Sequence, residues 1–166
     1  MSSIPEHLSP GLFVVRPLAA EAKANGLARL EGKASVKPLG GRTPGWVVKL
    51  NKLPKNARAG WNSLHRLLGD GYAVLPAIVD EAGQYRYPTG LLSLRFEGDA
   101  TEQALQTLAD TYGLEFVSRP KYTRQQALFR PADGSDVFLP DVSGKIGHDA
   151  KVEAVWFDAE SAYSRS

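Results

Sequence analysis

The chain contains no cysteine, one methionine and three histidines in 166 residues. Without a thiol there is no disulfide, no thiolate metal site and no cysteine nucleophile. A metal site built from imidazole and carboxylate needs several such groups to converge at helical or hairpin spacing. His7, His65 and His148 stand far apart and suggest no such cluster. His7 reads as a solvated arm residue, His65 as the flank of a helix beside Leu64, and His148, next to Asp149, as a turn or cap residue. Long hydrophobic runs are missing as well. The longest are about five residues, against the roughly 20 that span a bilayer, so no membrane partner is expected. The start, MSSIPEHLSP, lacks the basic and apolar regions of a signal peptide, and the compartment stays open.

Catalytic signatures are equally scarce. There is no GxSxG, no HExxH, no Walker loop and no GxGxxG placed between a strand and a helix. Gly40-Gly41-Arg42-Thr43 is glycine-rich, but it links two predicted strands and opens no helix, so it lacks the N-terminal amides of a phosphate cradle. No carboxylate pair is framed by the apolar residues that would raise a carboxyl pKa. These absences predict no catalytic residue, no cofactor, no metal and no enzyme activity. An excess of one charge is also lacking. Twenty Lys and Arg against 18 Asp and Glu give a net charge of +2, which argues against a dedicated nucleic-acid binder.

What is present is ordinary globular material, 43% apolar and 23% charged. A chain of this length buries roughly 70% of its unfolded surface, enough for one domain or two very small ones. After an arm at residues 1–10, GLFVVR from Gly11 predicts a strand ending at Pro17. Residues 18–30 lean helical, 34–37 form a short strand, and Trp46–Leu50 is a strand. Ala57, Trp61, Leu64 and Leu68 share one helical face after Pro54, and Gly69 and Gly71 end that helix. Tyr72–Val79 is extended, with Pro76 favouring an edge or a bulge. Tyr85–Thr89 continues extended, and Leu91–Phe96 is a separate strand. Asp99 with Glu102 reads as a capping box for a helix that Gly113 ends. Strands follow at 114–118 and 125–130, then a short helix near Pro140 and a last strand at 152–157.

The two halves repeat one order: strand, helix, strand, strand, helix, strand. GLFVVR at Gly11 echoes GLLSLR at Gly90, and the closing strands AVLPAIVD and VEAVWFD both end in Asp. A βαββαβ unit is the ferredoxin-like split arrangement. The expected fold is therefore α+β: two tandem ferredoxin-like βαββαβ units with antiparallel sheets and helices on one face. They span residues 11–80 and 88–158, and residues 159–166 form a tail. About 70 residues per unit is marginal for an independent core, so the two should share an interface. In the last strand Trp156 alternates with Ala154 and Val152, while Val155 and Phe157 point the other way. One of those faces must be exposed or covered by a partner. Arg119, Lys121, Arg124 and Arg130 cluster around the second unit's middle hairpin, either as a solvated surface or as a match to an acidic partner.

The stretch TGLLSLRFEGDATEQALQTLADTYGLEFVSRPKYTRQQALFRP, together with Asp149-Ala150-Lys151-Val152-Glu153-Ala154-Val155, resembles the propeptide domain of subtilisin-family serine proteases. The likeness covers residues 89–158 and rests on layout: an apolar strand, a helix ending in Gly113-Leu114, a connection with Tyr122, an alternating strand, then a helix, turn and strand. Such propeptides template the folding of the protease and then inhibit it. Their sheet packs on two parallel surface helices of the enzyme, and their C-terminal tail lies in the substrate cleft. The resemblance implies docking strands at 91–96, 126–130 and 152–157, with Trp156 and Phe129 as partner contacts. It implies a cleft-binding tail of Tyr163, Ser164, Arg165 and Ser166. Burying the Tyr163 ring there is worth roughly 1.5–3 kcal/mol. The sequence departs from the family in its additional first half, in Trp156 where an acidic residue is common, and in that no protease follows. The expected protein is thus a non-catalytic, stand-alone inhibitor or folding chaperone of a subtilisin-type serine protease. The alternative is a protein–protein or nucleic-acid interaction module with open ferredoxin-like sheets, although nucleic acid is disfavoured by the charge balance and the absence of an RNA-recognition strand pattern.

Overall fold

The apolar, β-branched run that predicts the first strand becomes a longer one in the computed structural model, which describes residues 7–18, 24–40, 45–133 and 136–161. Strand β1 spans His7–Pro17 and takes in the end of the expected arm. A 3-10 helix at Ala24–Leu30 stands within the segment expected to be helical, of which residues 19–23 lie outside the described residues, as do residues 41–44 of the glycine-rich loop. Then come β2 (Ala34–Pro38), β3 (Trp46–Leu50), helix α1 (Ala57–Leu68) and β4 (Tyr72–Val79). The second half holds β5 (Tyr85–Phe96), α2 (Glu102–Tyr112), β6 (Leu114–Ser118), β7 (Gln126–Pro131), α3 (Leu139–Ile146) and β8 (Val152–Ser161).

Helix starts follow local hydrogen bonding, and two differ from expectation. The Asn56 side chain accepts from the Ala59 amide at 2.8 Å and caps α1, two residues beyond Pro54. Thr101, not Asp99, caps α2, its hydroxyl oxygen accepting from the Ala104 amide at 3.1 Å. Either cap satisfies one of the amides a helix start leaves without a partner. Glu102 is then the first helical residue, too early to close a capping box. Gly113 ends α2 in the left-handed conformation, φ 69°, where a Cβ would be strained.

The eight strands form one antiparallel sheet in the order β2-β3-β1-β4-β5-β7-β6, with β8 on β5. The fold is thus α+β. Within each half the order is the same: second, third, first, fourth. Strand β5 makes the two halves one sheet. Its start pairs with β4 (Tyr85 opposite Val79, Arg86 opposite Ile78) and its end pairs with β7 (Leu92 opposite Phe129 through Arg95 opposite Gln126). Strand β8 runs along its other edge from Arg86 to Phe96. The expected break between two separate strands is instead a bend at Gly90, φ 99°, beside a shift of register between Pro88 and Leu92. Pro76 pairs with Phe13 of β1, while β5 pairs with β4 only at residues 78 and 79. The missing Pro76 amide therefore costs no bond on that side.

The period-2 alternation of each strand divides two cores. Phe13, Val15, Val48 and Val74 pack under Trp61, Leu64 and Leu68 of α1 and under Leu27 and Leu30 of the 3-10 helix. Trp61 donates its indole N–H to the Val74 carbonyl at 3.0 Å, which satisfies its polar atom inside the core. In the second half Leu92, Leu94, Phe96, Phe129, Val155 and Phe157 pack under Leu105, Leu108 and Ala109 of α2 and Leu139 and Ile146 of α3. The halves interlock at two places. Phe138, just before α3, is buried in the first core, its ring edge-on to Trp61 with centroids 5.8 Å apart. On the other face of the first sheet, Val14, Leu75 and Ala77 are buried with Tyr87 of β5 in the second core.

Candidate functional site

The helices of the second half cover one face of its sheet. On the opposite face the register places Ser93 beside both Leu128 and Trp156, and Arg95 beside both Gln126 and Ala154. Ser93, Leu128 and Trp156 form a half-buried row across three strands. Charged pairs flank it: Arg95 Nε to Glu153 at 2.8 Å and Arg130 Nε to Glu115 at 3.0 Å, all four side chains about half exposed. Pairs of that kind contribute little to stability, about 0–1 kcal/mol. They fix a polar rim around an apolar centre. This arrangement offers packing and hydrogen bonding.

Trp156 and Ala154 lie on this face as the alternation predicts, and Val155 and Phe157 are buried behind it. Val152 does not stay with Trp156. A register shift between Arg95 and Phe96 puts Val152 opposite Phe96, and it is buried. Phe129 also departs from the docking role. Its ring is wholly buried, edge-on to Phe116 at 5.9 Å, because it occupies the helix-covered phase of β7 while Leu128 takes the open one. Tyr163, Ser164, Arg165 and Ser166 lie outside the described residues. Residues 159–161, expected in the tail, are the end of β8: Pro88 faces Ala159, Tyr87 faces Glu160 and Arg86 faces Ser161.

The basic cluster is not one free patch. Arg119 donates to the Ala100 carbonyl at 2.9 Å and Arg130 pairs with Glu115, while Lys121 and Arg124 are exposed. His65 sits in a built environment. Its ring stacks on Trp61 at 4.7 Å, Nε2 lies 3.3 Å from Asp136, and Nδ1 is buried without a hydrogen-bond partner. Among the described residues no three His, Asp or Glu side chains gather as metal ligands, and no helix is long and apolar enough to cross a membrane.

Sequence reasoning missed the contacts that hold the halves together. Arg16 is buried, donates from Nε to the Pro88 carbonyl at 2.9 Å, and reaches Glu160 at 3.5 Å. Burial pushes its guanidinium pKa down, and the Glu160 carboxylate works against that shift. Arg16 lines a cleft of about 990 Å³ between the halves, together with Leu75, Gly90, Arg130 and Leu139. Arg58 pairs with Asp141, and its guanidinium lies 5.4 Å from the Trp61 ring centre and 5.1 Å from that of Phe138. Within the second half, Tyr112 of α2 donates its hydroxyl to Asp149 at 2.7 Å. That bond raises the Tyr112 pKa, and the Lys151 amide and Tyr112 together hold the Asp149 carboxyl below its ordinary value.

No protein-family model matches the chain, and no curated protein matches it in sequence.

Proposed function

We propose that this chain is a non-catalytic binding protein, an inhibitor or folding chaperone of a subtilisin-type serine protease, and that it docks by the open face of its second sheet. The observation that carries the reading is the half-buried row of Trp156, Ser93 and Leu128, on the face of the second sheet away from α2 and α3. The order β6-β7-β5-β8 supports it, since second-third-first-fourth is the order of a split βαβ unit. The first half has the same order, so the chain reads as two tandem ferredoxin-like units joined through β5. The resemblance of residues 89–158 to subtilisin propeptides supplies the partner class. Tyr163, Ser164, Arg165 and Ser166, which follow β8 in the sequence, are the residues assigned to the protease cleft.

Inhibition of a panel of subtilisin-type proteases tests this. The full chain is compared with Trp156→Glu and with a chain ending at Ser161, which keeps β8 whole. A central interface Trp is worth about 2 kcal/mol or more, so Trp156→Glu should weaken inhibition at least about 30-fold. Undiminished inhibition by that variant removes the sheet face from the interface. Undiminished inhibition by the shortened chain removes the tail. Failure of the full chain to inhibit any of the proteases overturns the proposal.

A further inference from the structure

The net charge of +2 hides an uneven division. Residues 1–79 carry eleven Lys and Arg against four Asp and Glu, and residues 80–166 carry nine against fourteen. Part of this division is used internally. Arg16 and Arg58 of the first half face Glu160 and Asp141 of the second. Lys37 and Lys49 are not used in this way. They stand on β2 and β3, on the side of the sheet away from α1, and no carboxylate among the described residues pairs with either.

Their surroundings form a groove. Lys49 lies opposite Leu12 on one side and Ser35 on the other, and Val47 lies opposite Val14 and Lys37. Leu12, Ser35, Lys37, Val47 and Lys49, together with Tyr85 and Tyr87, line a concavity of about 650 Å³. The floor is apolar at Leu12 and Val47, and Tyr85 stands at its edge, 46% exposed. Lys37 and Lys49 are diagonal neighbours across two strands. Such positions lie about 7–8 Å apart, and like charges so close repel. A bound anion relieves that repulsion. An extended peptide repeats the same side every second residue, about 6.8 Å, so carboxylates at alternate positions match the two lysines.

We propose that this face of the first sheet binds an extended acidic segment of a partner protein, with carboxylates at alternate positions facing Lys37 and Lys49 and apolar side chains on Leu12 and Val47. Single-stranded nucleic acid fits less well. It needs successive aromatic platforms for its bases, and Tyr85 is the only well-exposed ring in the lining.

Fluorescence anisotropy with a labelled peptide Glu-Ser-Glu-Ser-Leu-Ser-Leu tests the proposal. Its controls are the same peptide with Lys for Glu, and an oligo-dT. The acidic peptide should bind, its affinity should fall with added salt, and the Lys peptide should not bind. Lys37→Glu with Lys49→Glu should weaken binding tenfold or more. Both lysines are exposed, and Lys37→Gln with Lys49→Gln gives the same reading with less perturbation should the reversal impair folding. No binding of the acidic peptide, or equal binding by both double variants, overturns the proposal. Tighter binding of oligo-dT, lost in the same variants, assigns the face to nucleic acid and overturns it as well. Protease inhibition through the opposite half should be unchanged in these variants, so the two readings fail separately.

Discussion

Phe138→Ala measures how far the two halves depend on each other. Phe138 belongs to the second half, yet it is packed in the core of the first and remains only 8% exposed. Removing a core Phe costs about 3–5 kcal/mol. This ring lies at the rim of its core, capped by the Arg58 guanidinium at 5.1 Å, so the lower end, about 3 kcal/mol, applies. Of that, about 0.5–1.5 kcal/mol is the edge-on contact with Trp61. In a chain of this size each kcal/mol moves Tm by about 2–4 °C, so the variant should melt about 6–12 °C lower. Scanning calorimetry should show one transition for the wild type and one, displaced as a whole, for the variant. Phe138→Leu should recover most of the loss. If the wild type melts in two separate transitions, or if Phe138→Ala lowers Tm by less than about 2 °C, the halves are independent and the interlocked core is wrong.

Three further outcomes follow from particular contacts. Gly60→Ala should destabilise despite a gain of about 1 kcal/mol in helix propensity. A Cβ there would lie 2.7 Å from Phe13 Cζ and 2.7 Å from the Pro10 carbonyl oxygen, and overpacking of that kind costs about 1–3 kcal/mol. A higher urea midpoint for the variant would contradict this. Asp149 is held below its ordinary 3.8 in the folded chain, so its contribution is present above that value and is lost as pH falls through the lowered one. Urea unfolding between about pH 5 and 2 should therefore show a shallower acid loss for Asp149→Asn than for the wild type, and parallel curves would refute the assignment. For Arg58 and Asp141, both at least half exposed, a double-mutant cycle with Ala should give a coupling below about 1 kcal/mol, falling with salt. A larger, salt-insensitive coupling would mean the pair is far less solvated than its exposure indicates.

Much of the fold was legible in the residues because burial imposes a period. Trp46–Leu50, Tyr72–Val79, Leu114–Ser118 and the α1 face of Trp61, Leu64 and Leu68 stand where their patterns place them. Periodicity was less informative where the chain changes partners. A positive φ at Gly90 lets one strand serve two neighbours, and a Gly in an apolar run reads equally well as a break. The end of β8 was obscured because Ala159, Glu160 and Ser161 are polar or small, and only their pairing with β5 makes them strand. The docking face was half legible. Alternation separates Trp156 from Val155 and Phe157, but Val152 changes sides through a shift of register that depends on β5. Phe129 and Leu128 are both apolar, so which one faces the helices is decided by the pairing of β7 with β5 and β6.

Net charge is the feature whose meaning changes most. As a total, +2 argues against a dedicated nucleic-acid binder, yet a total averages over halves that differ in sign. Once the fold sets the halves edge to edge, two uses of that difference can be weighed. Arg58–Asp141, an exposed ion pair, and the His65–Asp136 contact sit at the border between the halves, and an exposed pair is worth at most about 1 kcal/mol. The single ring of Phe138 outweighs either. Charge therefore orients that contact and apolar burial holds it. Holding the halves together thus accounts for Arg16 and Arg58, while Lys37 and Lys49 stand on strands the second half does not pair with and gain nothing from it. Two adjacent cations with no carboxylate partner among the described residues repel each other on that concave face, and a bound acidic segment would relieve the repulsion.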